Sequence, residues 1–359
     1  MVGPLPPPVG GMATVVAGLR DGLAPMMDVL VLNNVKTTAV DRPLHQGILA
    51  QLRLLGRLVW QCLRWRPAIV HVHTCSWLNF WRNGADLLVA RLFGRRVVLH
   101  IHGGEFRTFL EGLSPPASWL ARRILSLAHR VIVLGEGWKR LLDRWTDPAR
   151  VVVVPNGVAV PARREAPDEP AWRIVCLGNY APAKGQADLL RAVARLHAPR
   201  PVLTDLLGPE TAPGYRAELL ALAAELGIGA RVTIPGPVMG EAKTTYLVRA
   251  SCFCLPSYEE GLPMSMLEAM ALGLPVVVTA VGAVPEVLHH GSEGLLFRPG
   301  DIDTLAAHLQ GLIDDPARAA AIGAAGRERA RLHFSLERSV QRLVSTYAEL
   351  LPTRAAEHR

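Results

Sequence analysis

Two carboxylates flank the opening of one helix in a pattern that could act on a polar ligand. In Pro256-Ser-Tyr-Glu-Glu-Gly-Leu-Pro-Met-Ser-Met-Leu-Glu-Ala-Met270 an apolar strand pattern ends and a helix opens at about Pro263, with Glu260 before it and Glu268 inside it. Proline in the first helical turn costs no hydrogen bond. The free N–H groups of that turn and its positive dipole end suit an anion such as a diphosphate. Carboxylates are poor partners for an anion and good acceptors for hydroxyls. A ligand carrying both phosphates and hydroxyls satisfies both halves of the motif.

A second anion device is Leu177-Gly-Asn-Tyr-Ala-Pro-Ala-Lys-Gly185, where a strand gives way to a turn and a helix. Lys184 is one of four lysines in a chain with 35 arginines. A compact ammonium between small residues suits phosphate as a point charge; a solvated loop lysine is the plain alternative. Gly10-Gly11 offers a third place where backbone can approach a ligand, although most such pairs are turns. No G-x-G-x-x-G fingerprint is present, which removes the main reason to read a dehydrogenase. His71-Val-His73 and His100-Ile-His102 each place two imidazoles on one strand face. A four-histidine metal cluster is one arrangement, but no Cys or Asp stands at ligand spacing and Glu105 is the one nearby carboxylate. The reading kept has no metal: His71 and His100 pack beneath the sheet, and His102 ends its strand before Gly103-Gly104 and points into a cleft.

The elements that must position these residues alternate throughout. Short β-branched runs at 29–33, 69–73, 97–102, 131–134 and 151–154, then 174–177, 202–207, 232–234, 252–255 and 276–279, are separated by helical patterns. That alternation predicts an α/β protein of two doubly wound parallel sheets. The predicted domains are 1–160 and 171–335, joined by the polar three-proline linker 161–170, with a closing helix over 336–352 that returns to the N-terminal domain and a polar tail from Thr353. In open sheets of this kind ligands bind beyond the carboxyl ends of the strands, so a cleft between the domains is the expected site. The motif Gly3-Pro-Leu-Pro-Pro-Pro-Val-Gly-Gly11 reads as the turn after a strand for which the chain leaves almost no residues. A missing first strand, with a native start upstream of Met1, is therefore expected.

Composition narrows the class. The 359 residues predict two domains at roughly 150 residues each. Half the residues are apolar and mean hydropathy is +0.22, which excludes a disordered chain. The longest uncharged apolar stretch, 269–285, has 17 residues and is broken by Gly273, Pro275 and Gly282, so no membrane span is expected. Without a signal-peptide pattern the expected address is cytoplasmic. Five cysteines without a C-x-x-C pair argue against disulfides and zinc ribbons, and Cys252 and Cys254 read as small core residues. Residues 1–160 hold 19 Lys and Arg against 9 Asp and Glu, so the basicity belongs to this half. Arg53, Arg57, Arg64 and Arg66 surround Leu54, Leu55, Leu58, Val59, Trp60, Leu63 and Trp65. Such a helix either lies against anionic lipid or packs its apolar side on the sheet. No nucleic-acid recognition motif accompanies the charge.

Taken in order, these residues resemble the family-4 retaining glycosyltransferases of GT-B fold over nearly the whole chain. The resemblance rests on Glu260 and Glu268 as an E-x7-E element, Gly273-Leu-Pro-Val276, Gly282-Ala-Val-Pro-Glu286, the Gly-Gly loop, His102-Gly103, Val154-Pro-Asn-Gly-Val158 and Lys184-Gly185. It implies a UDP- or GDP-linked sugar donor held mainly by the C-terminal domain and an acceptor held mainly by the N-terminal one. Lys184 would neutralise the diphosphate, Glu268 would hold the ribose hydroxyls, and Glu260 with Gly261, Leu262 and Pro263 would hold the donor sugar. His102 would contact that sugar, and Gly11 would lie near the diphosphate and acceptor. No metal or cofactor is implied, and retention would follow front-face attack. One position departs from the family pattern: Asn179 stands five residues before the lysine, where an arginine is usual, which implies either reduced donor affinity or rate, or a second cation supplied by Arg298 or another arginine. The basic N-terminal half resembles bacterial polysaccharide-assembly transferases, which implies a saccharide or polyprenyl-diphosphate-linked acceptor. A nucleotide-sugar 2-epimerase of the same fold and a catalytically silent sugar-nucleotide-binding subunit are the alternatives.

Overall fold

The computed structural model describes residues 1–7, 10–35, 44–161 and 171–351. Pro8 and Val9 of the opening motif, the linker residues 162–170 and the tail from Thr353 lie outside them. The chain forms two compact units, one of Met1–Gly157 with the segment beginning at Leu336, the other of Val158–Ser335.

The first unit runs β1 (Val2–Gly3), α1 (Gly11–Leu23), β2 (Leu32–Asn33), α2 (Leu44–Arg64), β3 (Ile69–Thr74), α3 (Leu78–Leu92), β4 (Arg96–Ile101), α4 (Phe106–Glu111), α5 (Pro115–Leu127), β5 (Arg130–Val133), α6 (Glu136–Leu142) and β6 (Val151–Val153). Its described strands form one sheet in the order β2-β1-β3-β4-β5-β6, every pair parallel. The second unit runs β7 (Trp172–Leu177), α7 (Gln186–Val193), β8 (Val202–Leu207), α8 (Tyr215–Glu225), β9 (Val232–Gly236), α9 (Gly240–Arg249), β10 (Cys252–Leu255), α10 (Met264–Ala271), β11 (Val276–Thr279), α11 (Val284–Val287), β12 (Leu295–Phe297), α12 (Ile302–Asp314) and α13 (Pro316–His333). Its order is β12-β11-β10-β7-β8-β9, again parallel. The closing helix α14 (Leu336–Ala348) packs on α1 in the first unit.

Central strands of a parallel sheet are covered on both faces and so read as continuous apolar runs. Val97, Val98 and Leu99 in β4, Val131 and Ile132 in β5, and all of Cys252–Leu255 and Val276–Thr279 are buried accordingly. Desolvation pushes the Cys176 thiol up to about 12 and raises those of Cys252 and Cys254 further, which fits core packing.

The expectation of a missing first strand is corrected. Val2 and Gly3 occupy that slot, pairing with Leu32 and Asn33 on one side and with Val72 on the other. Two residues suffice because β2 is equally short, and the Met1 amine is tied to the Leu30 carbonyl at 2.6 Å. The brevity of β1 also trims the run expected at 29–33 to Leu32–Asn33. The edge strand β12 was not legible in sequence, since three residues are too few to show a period.

Candidate functional site

In the second unit the chain winds outward through β8 and β9 in one direction and through β11 and β12 in the other, so the order reverses between β7 and β10. Loops leaving the carboxyl ends of those two strands diverge and leave a crevice, the usual ligand position in such sheets. Lys184 arrives from the loop after β7 and Glu260 from the loop after β10. Their side chains pair at 2.5 Å between Lys184 Nζ and Glu260 Oε1. At 24% and 14% exposure the pair is neither a solvated surface bridge nor sealed in the core.

A chain of hydrogen bonds fixes this pair to the sheet. Thr279 Oγ1 at the end of β11 donates to the Ser257 carbonyl at 2.5 Å, and Ser257 Oγ donates to Glu260 Oε1 at 2.8 Å. The Tyr258 amide donates to the Ala183 carbonyl at 2.8 Å, tying the two loops one residue from the lysine. Two glycines make these approaches possible. Gly185 has φ +67°, and a Cβ there would stand 2.1 Å from the Pro256 carbonyl oxygen. Gly282 has φ +58°, and its Cβ would stand 2.0 Å from the Glu260 carbonyl oxygen. The Ala283 amide then donates to the Gly261 carbonyl at 2.8 Å, so the Gly282 turn props the loop that carries Glu260.

Gly261, Leu262 and Pro263 are buried beneath this loop, and Pro263 caps α10 with Met264 as its first residue. Glu268, one and a half turns into α10, pairs with Lys243 of α9 at 2.7 Å. Sequence reasoning passed over Lys243, although its rarity is the signal that singled out Lys184. Two lysines and two glutamates thus form two neutralised pairs in one unit. Asn179 sits in the turn between β7 and α7, its carbonyl accepting from Gln186 Nε2 at 2.7 Å. Arg298 lies just beyond the carboxyl end of β12 and is exposed.

In the first unit the strand order reverses between β1 and β3. Gly11 opens α1 above β1 and is exposed. His102 follows the last residue of β4 and is half-buried, its Nε2 lying 2.9 Å from His73 Nδ1. His71 and His73 stack at 4.2 Å between ring centroids, His100 and His102 at 4.0 Å, and His71 Nδ1 lies 2.6 Å from the Tyr347 hydroxyl of α14. The rings of His71, His73 and His100 bring possible ligand nitrogens within 4.8 Å of one another. The set contains no carboxylate or thiolate to offset the charge of a buried dication. Burial drives all four imidazoles toward the neutral form, His102 to about 3 and the others well below their usual range. Trp77, before α3, is half-exposed with φ 59°, an outlier for a bulky residue, and its indole N–H donates to Glu105 Oε2. No sequence signal marks that strain.

Comparison with known proteins comes to the same architecture. Residues 9–160 match the profile described as Glycosyltransferase Family 4, and residues 162–329 the profile of Glycosyl transferases group 1. The fold is shared with sucrose-phosphate synthase from Thermosynechococcus elongatus, at TM-score 0.81 and 21% identity over 97% of this chain and 98% of that one. It is shared too with Anabaena HepE in complex with UDP and glucose, at TM-score 0.77 and 19% identity over the same shares. These are two-unit proteins of the GT-B type, and the chain belongs to the family-4 glycosyltransferases of that fold. Among curated relatives, the MMP alpha-(1->4)-mannosyltransferase of Mycolicibacterium hassiacum is 34% identical over 60% of this chain and 52% of its own length. The D-inositol 3-phosphate glycosyltransferase of Mycobacterium avium is 32% identical over 66% and 59%. The matched part of the chain thus spans a little over half the length of these relatives.

Two outcomes follow from this geometry. Gly282→Ala must move the Glu260 backbone and adopt an unfavourable φ, so it is expected to lose about 1–3 kcal/mol of stability. Thermal unfolding measures the loss, and a variant as stable as the parent would show that the loop yields freely. The neutral histidines bind fewer protons folded than unfolded, so stability is complete above the unfolded pKa of about 6.5 and falls as pH drops below it. Buried Asp86, raised to about 6, takes up a proton in the folded state over the same range and offsets one histidine. The expected slope is about 1.4 kcal/mol per pH unit for each net proton, read from urea midpoints between pH 7.5 and 5. A flat profile would contradict burial of the four rings.

Proposed function

We propose that the protein is a retaining hexosyltransferase that moves a sugar from a nucleoside-diphosphate sugar to a saccharide or lipid-linked saccharide, as a step in building a cell-surface glycan. The observation that carries this reading is the Lys184–Glu260 pair at the switch point of the second sheet. It sets a cation for phosphate beside a carboxylate for hydroxyls, the two chemistries of a sugar nucleotide. Lys184 and the N-terminal turn of α10 would take the diphosphate, Glu260 with the Gly261–Pro263 backbone the sugar, and Glu268 the ribose. His102 would act on the transferred sugar as a neutral hydrogen-bonding group.

Chemistry on this reading needs no metal. The bond from the anomeric carbon to the diphosphate oxygen breaks, and charge developing on the leaving group meets Lys184 and the dipole of α10. The acceptor hydroxyl attacks from the face the diphosphate leaves, giving retention, and its proton passes to the departing phosphate oxygen. Trp77 offers an exposed ring for the acceptor. The curated relatives named above are glycosyltransferases by description, which supports a transferase over an epimerase or a silent subunit.

A second element of the proposal concerns α2. Leu54, Leu58 and Cys62 are buried, while Leu52 is 58% and Trp60 61% exposed, with Leu49 and Leu63 on the same helical stripe. Exposed Arg53, Arg57 and Arg64 flank that stripe. The helix packs along one side, chiefly against α3, and leaves an apolar stripe with cations on the other. No helix among the described residues is long and apolar enough to cross a membrane. An exposed stripe of this composition suits the surface of an anionic bilayer.

Calorimetry with UDP, GDP and ADP in chelator is expected to show one nucleotide bound without metal, with at least about tenfold weaker binding in Lys184→Ala. Activity extinguished by chelator and restored by a divalent ion would overturn the metal-free mechanism. Asn179→Arg is expected to tighten nucleotide binding, and an unchanged or weaker dissociation constant would count against a diphosphate at this turn. Vesicles containing phosphatidylglycerol should sediment the protein at low salt, and replacing Leu52, Trp60 and Leu63 by Ser should release it. Equal recovery of both forms in the supernatant would sink the membrane role of α2.

A further inference from the structure

A pocket of about 440 Å³ lies in the first unit at the amino ends of its strands, the end opposite His102. Arg96 begins β4, Arg130 begins β5 and Arg150 precedes β6; Arg91 reaches in from the last turn of α3, and His129 and Glu349 complete its polar lining. Arg96 and His102 are six strand steps apart, about 20 Å at strand rise. Its lining is drawn from the first unit alone, and it lies away from the carboxyl-end loops of that unit's sheet.

Charge in the pocket is unbalanced. Glu349 pairs with Arg130 at 3.1 Å, and Arg150 is 3.6 Å from Asp147 while donating to the Ser126 and Ala128 carbonyls at 3.1 and 3.3 Å. No carboxylate pairs with Arg91 or Arg96 among the described residues. Those carbonyl contacts show Arg150 offsetting the negative end of α5, which would otherwise disfavour an anion.

The hydrogen-bond chemistry is unbalanced as well. His129 Nδ1 accepts from the Val97 amide at 2.9 Å, so in the neutral ring the proton sits on Nε2. The group against Nε2 is Nη1 of Arg91, which is a donor only. Two donors thus face each other and neither finds an acceptor in the other, so an incoming oxygen that draws the Arg91 guanidinium aside would accept from both. Burial first, and then the neighbouring Arg91, Arg96 and Arg150, lower the pKa of His129.

We propose that this pocket binds a phosphate-bearing anion, either a soluble phosphate ester or the headgroup of a phospholipid, at a site distinct from the sugar-nucleotide site. Three acceptor oxygens on one phosphorus match donors converging from Arg91, Arg96 and His129, and guanidinium groups bind phosphate in paired fashion. A second phosphoryl group would fit the volume. The inference does not rest on the transferase reading, and its test is independent of turnover.

Inorganic pyrophosphate is titrated at low salt into the full chain carrying Lys184→Ala, which removes the other diphosphate site, while histidine ring resonances are followed. Those of His129 are assigned by their loss in His129→Gln. A saturable shift of the His129 signals is expected, weakened at least about tenfold by Arg91→Gln with Arg96→Gln. Both arginines are exposed, so the variant should fold, and unchanged nucleotide binding in an otherwise wild-type chain confirms that it does. No saturable shift, or an equal shift in the double variant, would overturn the proposal. Phosphatidylcholine vesicles with and without phosphatidic acid separate the sources. A shift only with phosphatidic acid assigns a headgroup, and a shift with pyrophosphate but with neither vesicle assigns a soluble phosphate.

Discussion

The arrangement of the second unit depends on one ion pair held at a reversal of strand order. Lys184 and Glu260 are 76 residues apart in sequence, and what joins them is topology: β7 and β10 are neighbours whose onward connections run in opposite directions. Only there can two loops leave the same sheet end and still face each other. The rest of the local structure serves that approach. Gly185 lets one loop lie against the Pro256 carbonyl, Gly282 lets a third segment lie against the Glu260 carbonyl, and Ser257 carries the orientation of the carboxylate back to Thr279 in β11. The motifs Lys184-Gly185 and Gly282-Ala-Val-Pro-Glu286 are therefore parts of one mechanical unit.

Burial does comparable work in the first unit by different means. Three imidazoles sit on the adjacent strands β3 and β4, His73 opposite His100, and His102 follows directly after β4, with several ring nitrogens unpartnered among the described residues. Buried polar groups of this sort are costly, and the cost is lowest for the neutral ring. His102, the outermost of the four, is thus kept uncharged at neutral pH and turned toward His73. A neutral imidazole can both donate and accept, which suits contact with hydroxyls better than an imidazolium would.

Period and composition carried the fold. Runs such as Val276–Thr279 and Cys252–Leu255 announce buried parallel strands because nothing else explains four consecutive apolar, β-branched or small residues between helices. The elements that escaped were those too short to have a period: β1, with two residues, and β12, with three. The site was legible where residue type was improbable, as with a lysine in an arginine-rich chain or a glutamate before a proline-capped helix. It was illegible where meaning lay in pairing. Lys243 shares the rarity of Lys184 but gains a role only opposite Glu268, Trp77 becomes informative only through its backbone angle, and the arginines at the amino ends of β4, β5 and β6 only when the sheet stacks them side by side.

The two Lys–Glu pairs bear on how such a site would select its ligand. Before a ligand arrives each lysine is neutralised, so the crevice does not offer a standing positive charge to any passing anion. A diphosphate that draws Lys184 away would leave Glu260 with the one hydrogen bond from Ser257 among the described residues, in a half-buried place where an under-satisfied carboxylate is costly. A sugar hydroxyl arriving with the diphosphate replaces the lost donor; a bare anion cannot. The same exchange at Lys243 and Glu268 would ask for the ribose hydroxyls. On the proposed reading each half of a sugar nucleotide would offset the disturbance made by the other, and discrimination against simple phosphates would follow from the pairing itself.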